Sequence, residues 1–208
     1  LRGIVREESG GPIAGAEVFA FGPLEAARGK ISFDLLSRLH AYELRWGTES
    51  SPSGNFTLRD LPAGTYFVLV KREQFQPAAF FGVEVGPKAQ KNVIFTVSRG
   101  YVIRGRVFSE NGDPLEGAHV CALAHSSARD LPVRRFETRT DKDGAFLFSS
   151  LYSLTYLLTV RKTGYLLWKR KVVPSGEELV IKLRPGLSVA GRVLCKGKPV
   201  RGARVSLY

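Results

Sequence analysis

The chain has 208 residues, of which 44% are apolar, and it carries a net charge of +12. That composition excludes a disordered polyelectrolyte, and no apolar run approaches the roughly 18 residues that cross a bilayer as a helix. Two cysteines, Cys121 and Cys195, exclude a disulfide-stapled miniprotein, while 22 glycines and 11 prolines suit many turns between short strands.

Residues 2–7 are predicted as a strand and Gly10-Gly11-Pro12 as a turn. Residues 15–21 then alternate Ala16, Val18, Ala20 against Glu17, Phe19, Phe21, and period two marks one face as buried. The next stretch is long and ambiguous. Ile31, Leu35, Leu39 and Tyr42 fall at helical spacing with Ser32 placed to cap, yet Tyr42, Leu44, Trp46 and Thr48 alternate like a strand. The spacing predicts a short helix over 33–40 and a strand over 42–49. Ser51-Pro52-Ser53-Gly54 turns into a strand at 55–59, and Leu61-Pro62-Ala63-Gly64 makes a tight corner. Tyr66 opens a strand over 66–70 in the manner of a tyrosine corner, whose hydroxyl bonds back to upstream backbone. Strands near 79–85 and 91–97 close the unit.

The order then repeats. Thr48–Tyr66 returns as Thr138–Tyr156, with Gly54, Phe56, Leu61 and Tyr66 matching Gly144, Phe146, Leu151 and Tyr156 at one offset. RGIVREESGGPIAGAEVFA from Arg2 returns as RGRVFSENGDPLEGAHVCA from Arg104 and as GRVLCKGKPVRGARVSL from Gly191. The chain is therefore a repeat array of two whole units and the opening of a third. Ala118, Val120, Ala122 and Ala203, Val205, Leu207 stay small and apolar like Ala16, Val18, Ala20, which assigns that face to the core.

Second-unit strands are predicted near 101–109, 117–124, 133–140, 145–149, 154–162, 166–173 and 178–184. Tyr152 and Leu154 replace Pro62 and Gly64, so the second corner must be built differently. The third unit is expected to supply strands at 188–195 and 202–208, which need strands beyond Tyr208 or from a partner. The expected domains are 1–98 with an inserted loop at 24–41, 101–184, and a truncated 187–208. Lacking methionine, and starting and ending inside repeats, the sequence is expected to be a piece of a longer protein. The joints, Ser98-Arg99-Gly100 and Arg184-Pro185-Gly186, are short and lack a flexible tract, which predicts a semi-rigid rod.

The pattern of Gly105, Val107, Pro114, Gly117, Ala118, Val120, Asp141, Gly144, Phe146, Leu151 and Tyr156 resembles the carboxypeptidase regulatory-like domain, of the prealbumin-like, Cna-B-like group. Gly3, Val5, Pro12, Gly15, Ala16, Val18, Gly54, Phe56, Leu61 and Tyr66 repeat it. The resemblance implies an all-β fold of tandem seven-stranded Greek-key β-sandwiches. It also implies an accessory, often tandem module on periplasmic, outer-membrane or cell-surface proteins, acting as a spacer, adhesive unit or scaffold beside enzymes, so the expected location is extracellular, cell-surface or periplasmic. Some Cna-B relatives carry a Lys–Asn isopeptide bond. The first strands here hold Arg2, Arg6, Arg104 and Arg106 instead of lysine, so no such bond is expected.

Few residues suggest chemistry. Asp141-Lys142-Asp143-Gly144 opens like a calcium loop, but Ala-Phe-Leu-Phe follows without the distal carboxylate calcium wants, and Ser51–Gly54 in the first repeat has no carboxylate. A side-chain-stabilised turn is the expected reading. His119, Cys121 and His125 are assigned to the outward face of one strand, but the histidines lie six residues apart, about 20 Å along a strand. No nucleophile–base–orienter set, phosphate loop or paired-carboxylate constellation appears. No enzymatic activity, cofactor or metal is expected.

The charge is uneven. Residues 1–160 hold 19 Lys+Arg against 17 Asp+Glu, whereas 161–208 hold 12 against 2. The basic end is either a solvated surface beside an acidic neighbour or a site that concentrates polyanions. The candidate polyanion contacts are Arg161, Lys162, Lys169, Arg170, Lys171, Arg192, Lys196, Lys198, Arg201 and Arg204. Lys169 and Lys171 face opposite to Arg170 and Trp168 in a strand, so Trp168 is expected in the core or an interface and the basic side chains are divided. Gly15 to Gly54 spans 39 positions where Gly117 to Gly144 spans 27. Because added loop length is tolerated without disturbing a core, Ile31, Phe33, Leu35, Leu36 and Leu39 in this excursion are the expected partner contacts of the first unit.

The expected function is thus a non-catalytic structural or interaction module that scaffolds or spaces an envelope or cell-surface assembly. Its partners would be proteins or neighbouring domains of the same longer chain. The alternatives are a binding module for acidic polysaccharide or another polyanion, with nucleic acid disfavoured, or an accessory domain of an exported peptidase or receptor.

Overall fold

The computed structural model describes residues 1–24, 45–86, 92–125, 131–187 and 190–205. Strands β1 (Arg2–Glu7), β2 (Glu17–Leu24), β3 (Arg45–Glu49), β4 (Asn55–Thr57), β5 (Gly64–Lys71), β6 (Ala78–Val85) and β7 (Val93–Val97) form two sheets, ordered β4-β1-β7 and β3-β2-β5-β6. Strands β8 (Tyr101–Ser109), β9 (His119–Ala124), β10 (Arg135–Arg139), β11 (Ala145–Leu151), β12 (Tyr156–Arg161), β13 (Trp168–Val172) and β14 (Glu178–Leu183) reproduce that arrangement as β11-β8-β14 and β10-β9-β12-β13. The described residues are thus all-β, with tandem β-sandwiches of one topology. The helix expected over 33–40, and with it Ile31, Phe33, Leu35, Leu36 and Leu39, lies outside the described residues.

Each sandwich buries its own core between its two sheets. Val5, Phe56 and Phe95 meet Val18, Ala20, Tyr66 and Val68 in the first, and Val107, Phe146 and Ile181 meet Val120, Ala122, Tyr156 and Leu158 in the second. The small apolar face read from the alternation of β2 and β9 is the buried one, and Ala16, Val18, Ala118 and Val120 are all fully covered. Small residues there let the facing aromatic rings fill the space between sheets. On the opposite face of the same sheet Phe21, Phe67 and Leu69 are buried together as well.

Two turns fix the strand register in both units. Gly54 and Gly144 sit at φ +76° and +72°, where a Cβ would stand 2.5 Å from the carbonyl oxygens of Val5 and Val107, so only glycine fits. Just before each lies a buried hydroxyl. Ser50 Oγ accepts from the Ala16 N–H (2.8 Å) and donates to the Ile13 carbonyl (2.6 Å). Thr140 Oγ1 does the same between the Ala118 N–H (2.8 Å) and the Leu115 carbonyl (2.6 Å).

The tyrosine corner forms as expected in the first unit, where Tyr66 Oη donates to the Pro62 carbonyl at 2.8 Å. The second corner keeps a longer form of that bond, Tyr156 Oη to the Tyr152 carbonyl at 3.4 Å, and gains another because Tyr152 has the N–H that Pro62 lacks. That N–H donates to Tyr156 Oη at 2.9 Å. Burial pushes the Tyr156 phenol from its ordinary 10.0 up to about 12, with a backbone hydrogen bond at Tyr152 opposing it. The folded state therefore favours the protonated ring. Its stabilisation is fully present below the unfolded value near 10 and is lost as pH rises towards 12. Unfolding free energy measured against pH should fall across that window, and Tyr156→Phe should shallow the fall. An equal slope in both proteins would contradict this.

In the third segment, strands expected over 188–195 and 202–208 give way to a short hairpin, β15 (Leu194–Cys195) with β16 (Lys198–Pro199), and 202–205 carry no strand. Lys196 and Gly197, both at positive φ, form its turn. The Val200 N–H donates to the Val193 carbonyl (2.9 Å), as Ile13 does to Val5 (3.0 Å) and Leu115 to Val107 (2.9 Å). Among the described residues nothing supplies the neighbours that flank β1 and β8, and unflanked strands do not extend.

Candidate functional site

The two sandwiches interlock at their joint. The Gln76 N–H donates to the Ser98 carbonyl (2.9 Å) and the Gly100 N–H to the Gln74 carbonyl (2.7 Å). Bonds then cross into the second unit. The Gln74 N–H donates to Ser150 Oγ (3.1 Å), and Tyr152 Oη donates to the Pro77 carbonyl (2.7 Å) in a buried setting. Burial pushes the Tyr152 phenol up, so it stays the donor that this bond requires. Gly100 lies against Ser149 and Ser150 so closely that a Cβ would overlap the Ser149 carbonyl and come within 2.7 Å of Ser150 Cα. Arg99 covers the Phe75 ring (4.9 Å to its centroid) and pairs with Glu7 at 3.0 Å. A hydrogen bond from Ser9, with Arg99 adding to it, holds the Glu7 carboxyl below its usual range.

The same clasp recurs at the next joint. The Leu166 N–H donates to the Arg184 carbonyl (2.8 Å) and the Gly186 N–H to the Gly164 carbonyl (2.8 Å). Tyr165 bridges Pro185 as Phe75 bridges Arg99. Here, however, Leu166 and Leu167 stay about half exposed, at 54% and 51%.

The sequence-predicted basic residues divide into groups. Arg161, Lys169 and Lys171 share the outer face of sheet β10-β9-β12-β13. Lys162 follows β12 and its Nζ donates to the Glu116 carbonyl. Arg170 is exposed but registers with buried Leu158, off that face. Trp168 is partly buried against the second core, as its alternation implied. Arg192, Lys196, Lys198, Arg201 and Arg204 are all exposed in the third segment, apart from the sheets of the two sandwiches.

Sequence reasoning missed the other half of the basic face. Arg139 stands directly opposite His119, and His119 opposite Arg161, in one row across three strands. Arg135, Leu123, Leu157 and Lys171 form a parallel row, with Glu137, Cys121, Thr159 and Lys169 between. The outward alternation of Arg135, Glu137 and Arg139 was visible, but the register that aligns it with β12 was not. Cys121 is buried, and burial above all pushes its thiol up, which makes it inert rather than reactive. His125 lies beyond the end of β9, so the three assigned to one outward face do not converge. Asp141 Oδ1 accepts from the N–H groups of Asp143 (2.9 Å) and Ala145 (2.8 Å), which is the side-chain-closed turn.

No curated protein matches the chain. Among solved structures, the streptococcal ancillary pilin is similar at 13% identity and a TM-score of 0.41, with 89% of this chain aligned to 61% of that one. The minor pilin of Streptococcus agalactiae is similar at 14% identity and a TM-score of 0.38, covering 89% of each chain. The shaft pilin of Lactobacillus rhamnosus GG is similar at 13% identity and a TM-score of 0.40, covering 86% of this chain and 90% of the pilin. The family model of the carboxypeptidase regulatory-like domain matches residues 1–98 and again 102–184. With both sandwiches matched and their topology shared, the chain belongs to the carboxypeptidase regulatory-like domain family.

Proposed function

We propose that this chain is a non-catalytic structural module. It is a semi-rigid array of seven-stranded Greek-key β-sandwiches, with the opening of a third, that spaces or scaffolds a larger envelope or cell-surface protein. The proposed units are 1–98, 101–184 and 187–208, and the partners are proteins or neighbouring domains. The observation that carries this reading is the interlocked joint, above all the buried bond from Tyr152 to Pro77. A flexible linker would leave those groups to water. Here the second unit covers the end of the first, and an arrangement that costs conformational freedom at a joint serves a protein whose end-to-end spacing matters.

Small-angle scattering of the whole chain is the test. The expected profile is that of one elongated body with a fixed angle between sandwiches, insensitive to salt. A profile that needs an ensemble of interdomain angles, or one of folded-back domains, would remove the rod.

A further inference from the structure

We propose that the outer face of sheet β10-β9-β12-β13 in the second sandwich is a binding site for an acidic polysaccharide, a polymer of uronate sugars. The face carries Arg135, Arg139, Arg161, Lys169 and Lys171, with His119 in the same rows, against the single carboxylate of Glu137. Glu137 is already engaged by Arg135 (2.5 Å) and His119 (3.5 Å). Among the described residues, Arg139, Arg161, Lys169 and Lys171 have no carboxylate partner. Arg139 is held in place by its bond to the Gly117 carbonyl (3.2 Å), so part of the array is fixed before a ligand arrives.

The matching face of the first sandwich shows that the fold itself does not demand this charge. There the corresponding rows are Glu49, Glu17, Lys71, in which carboxylates outnumber the one cation, then Gly47, Phe19, Leu69, Ala79, which is apolar and partly buried. Only the second unit turns the same surface into a cationic plane.

The chemistry of the face selects among polyanions. Its rows contain no phenylalanine, tyrosine or tryptophan, and single-stranded nucleic acid is held by stacking its bases on such rings. On its two inner strands Leu123 and Leu157 stand directly opposite each other between Arg135 and Lys171, 40% and 38% exposed. An apolar strip flanked by guanidinium and ammonium groups fits a sugar chain, whose ring C–H faces lie on the leucines while its carboxylates meet the cations. Arginine suits that carboxylate through its planar two-pronged geometry. Arg139 and Arg161 stand two strand spacings apart, about 9–10 Å, with Lys169 and Lys171 on the next strand, so the cations are spread over a plane that a polymer can span and an isolated small anion cannot.

The test is calorimetric titration of the chain with polygalacturonate oligomers at low ionic strength, with oligodeoxythymidylate as a competing polyanion. Arg161→Ser with Lys169→Ser and Lys171→Ser removes three cations that make no hydrogen bond or ion pair among the described residues, so folding is spared. Lys196→Ser with Lys198→Ser and Arg201→Ser removes the same charge from the third segment. The native chain is expected to bind saturably, with affinity falling as salt is added. The face variant should bind about tenfold more weakly, since three exposed ion pairs of modest worth are lost together, while the third-segment variant should retain native affinity. The proposal is overturned by absent saturable binding, by equal loss in both variants, by an unaffected face variant, or by tighter binding of the oligonucleotide. None of these outcomes touches the rod, which scattering reads independently.

Discussion

Thr140→Val is expected to destabilise the second sandwich by about 2–4 kcal/mol, although the two side chains have nearly the same shape. The Thr140 hydroxyl accepts from the Ala118 N–H and donates to the Leu115 carbonyl, and Thr140 is only 3% exposed. Valine would leave one backbone donor and one acceptor unpaired and unreachable by water, at about 1–3 kcal/mol each. Thr140→Ser should keep most of the stability, because Ser50 makes the same pair of bonds in the first unit. Hydrogen exchange of the β8–β14 amides under native conditions reads the second unit separately, which a single two-domain melt does not. If Thr140→Val matched Thr140→Ser in exchange free energy, the bridging role of this hydroxyl would be wrong.

Gly100→Val should unseat the joint and leave both cores intact. A Cβ at Gly100 overlaps the Ser149 carbonyl and sits 2.7 Å from Ser150 Cα, and both contacts are backbone that cannot rotate away. The second sandwich must then shift off the first. That shift breaks the Gln74–Ser150 and Tyr152–Pro77 bonds, worth about 1 kcal/mol each, and wets the buried Tyr152 hydroxyl. Scattering should change from one fixed arrangement to a spread of angles. Amide protection in β8–β14 should persist, while that of Gln74 and Gly100 falls by about tenfold or more. An unchanged scattering profile would mean that the joint is not what sets the angle.

Much of the fold was legible because it is written in short-range pattern. The Ala16-Val18-Ala20 alternation marks its buried face without reference to any other strand, and its return at Ala118 and Ala203 points to the same face. The tyrosine corner was legible for the same reason, since Tyr66 reaches only four residues back. What escaped notice depends on distant registration. Tyr152 and Pro77 are 75 residues apart, so nothing local marks the phenol as a seam residue. Ser50 and Thr140 look like ordinary polar positions before a turn, and only the approach of β2 and β9 buries them. The row of Arg139, His119 and Arg161 exists because β9 pairs with strands from both sides, one of them reached through a connection whose length does not reveal its register. The third segment fell short of its expected strands because a strand's extent is set by its neighbours as much as by its own residues.

One feature of both sandwiches bears on how such a molecule responds when its ends are pulled. In each unit the first strand lies beside the last in parallel, Gly3 to Val93 through Glu7 to Val97 and Arg104 to Glu178 through Ser109 to Leu183. Tension entering at the start of β1 and leaving at the end of β7 runs along the strands in opposite directions, so their rungs are loaded in shear and must yield together rather than peel one by one. Each sandwich is therefore clamped across its own two ends, and a string of them would transmit force without unravelling.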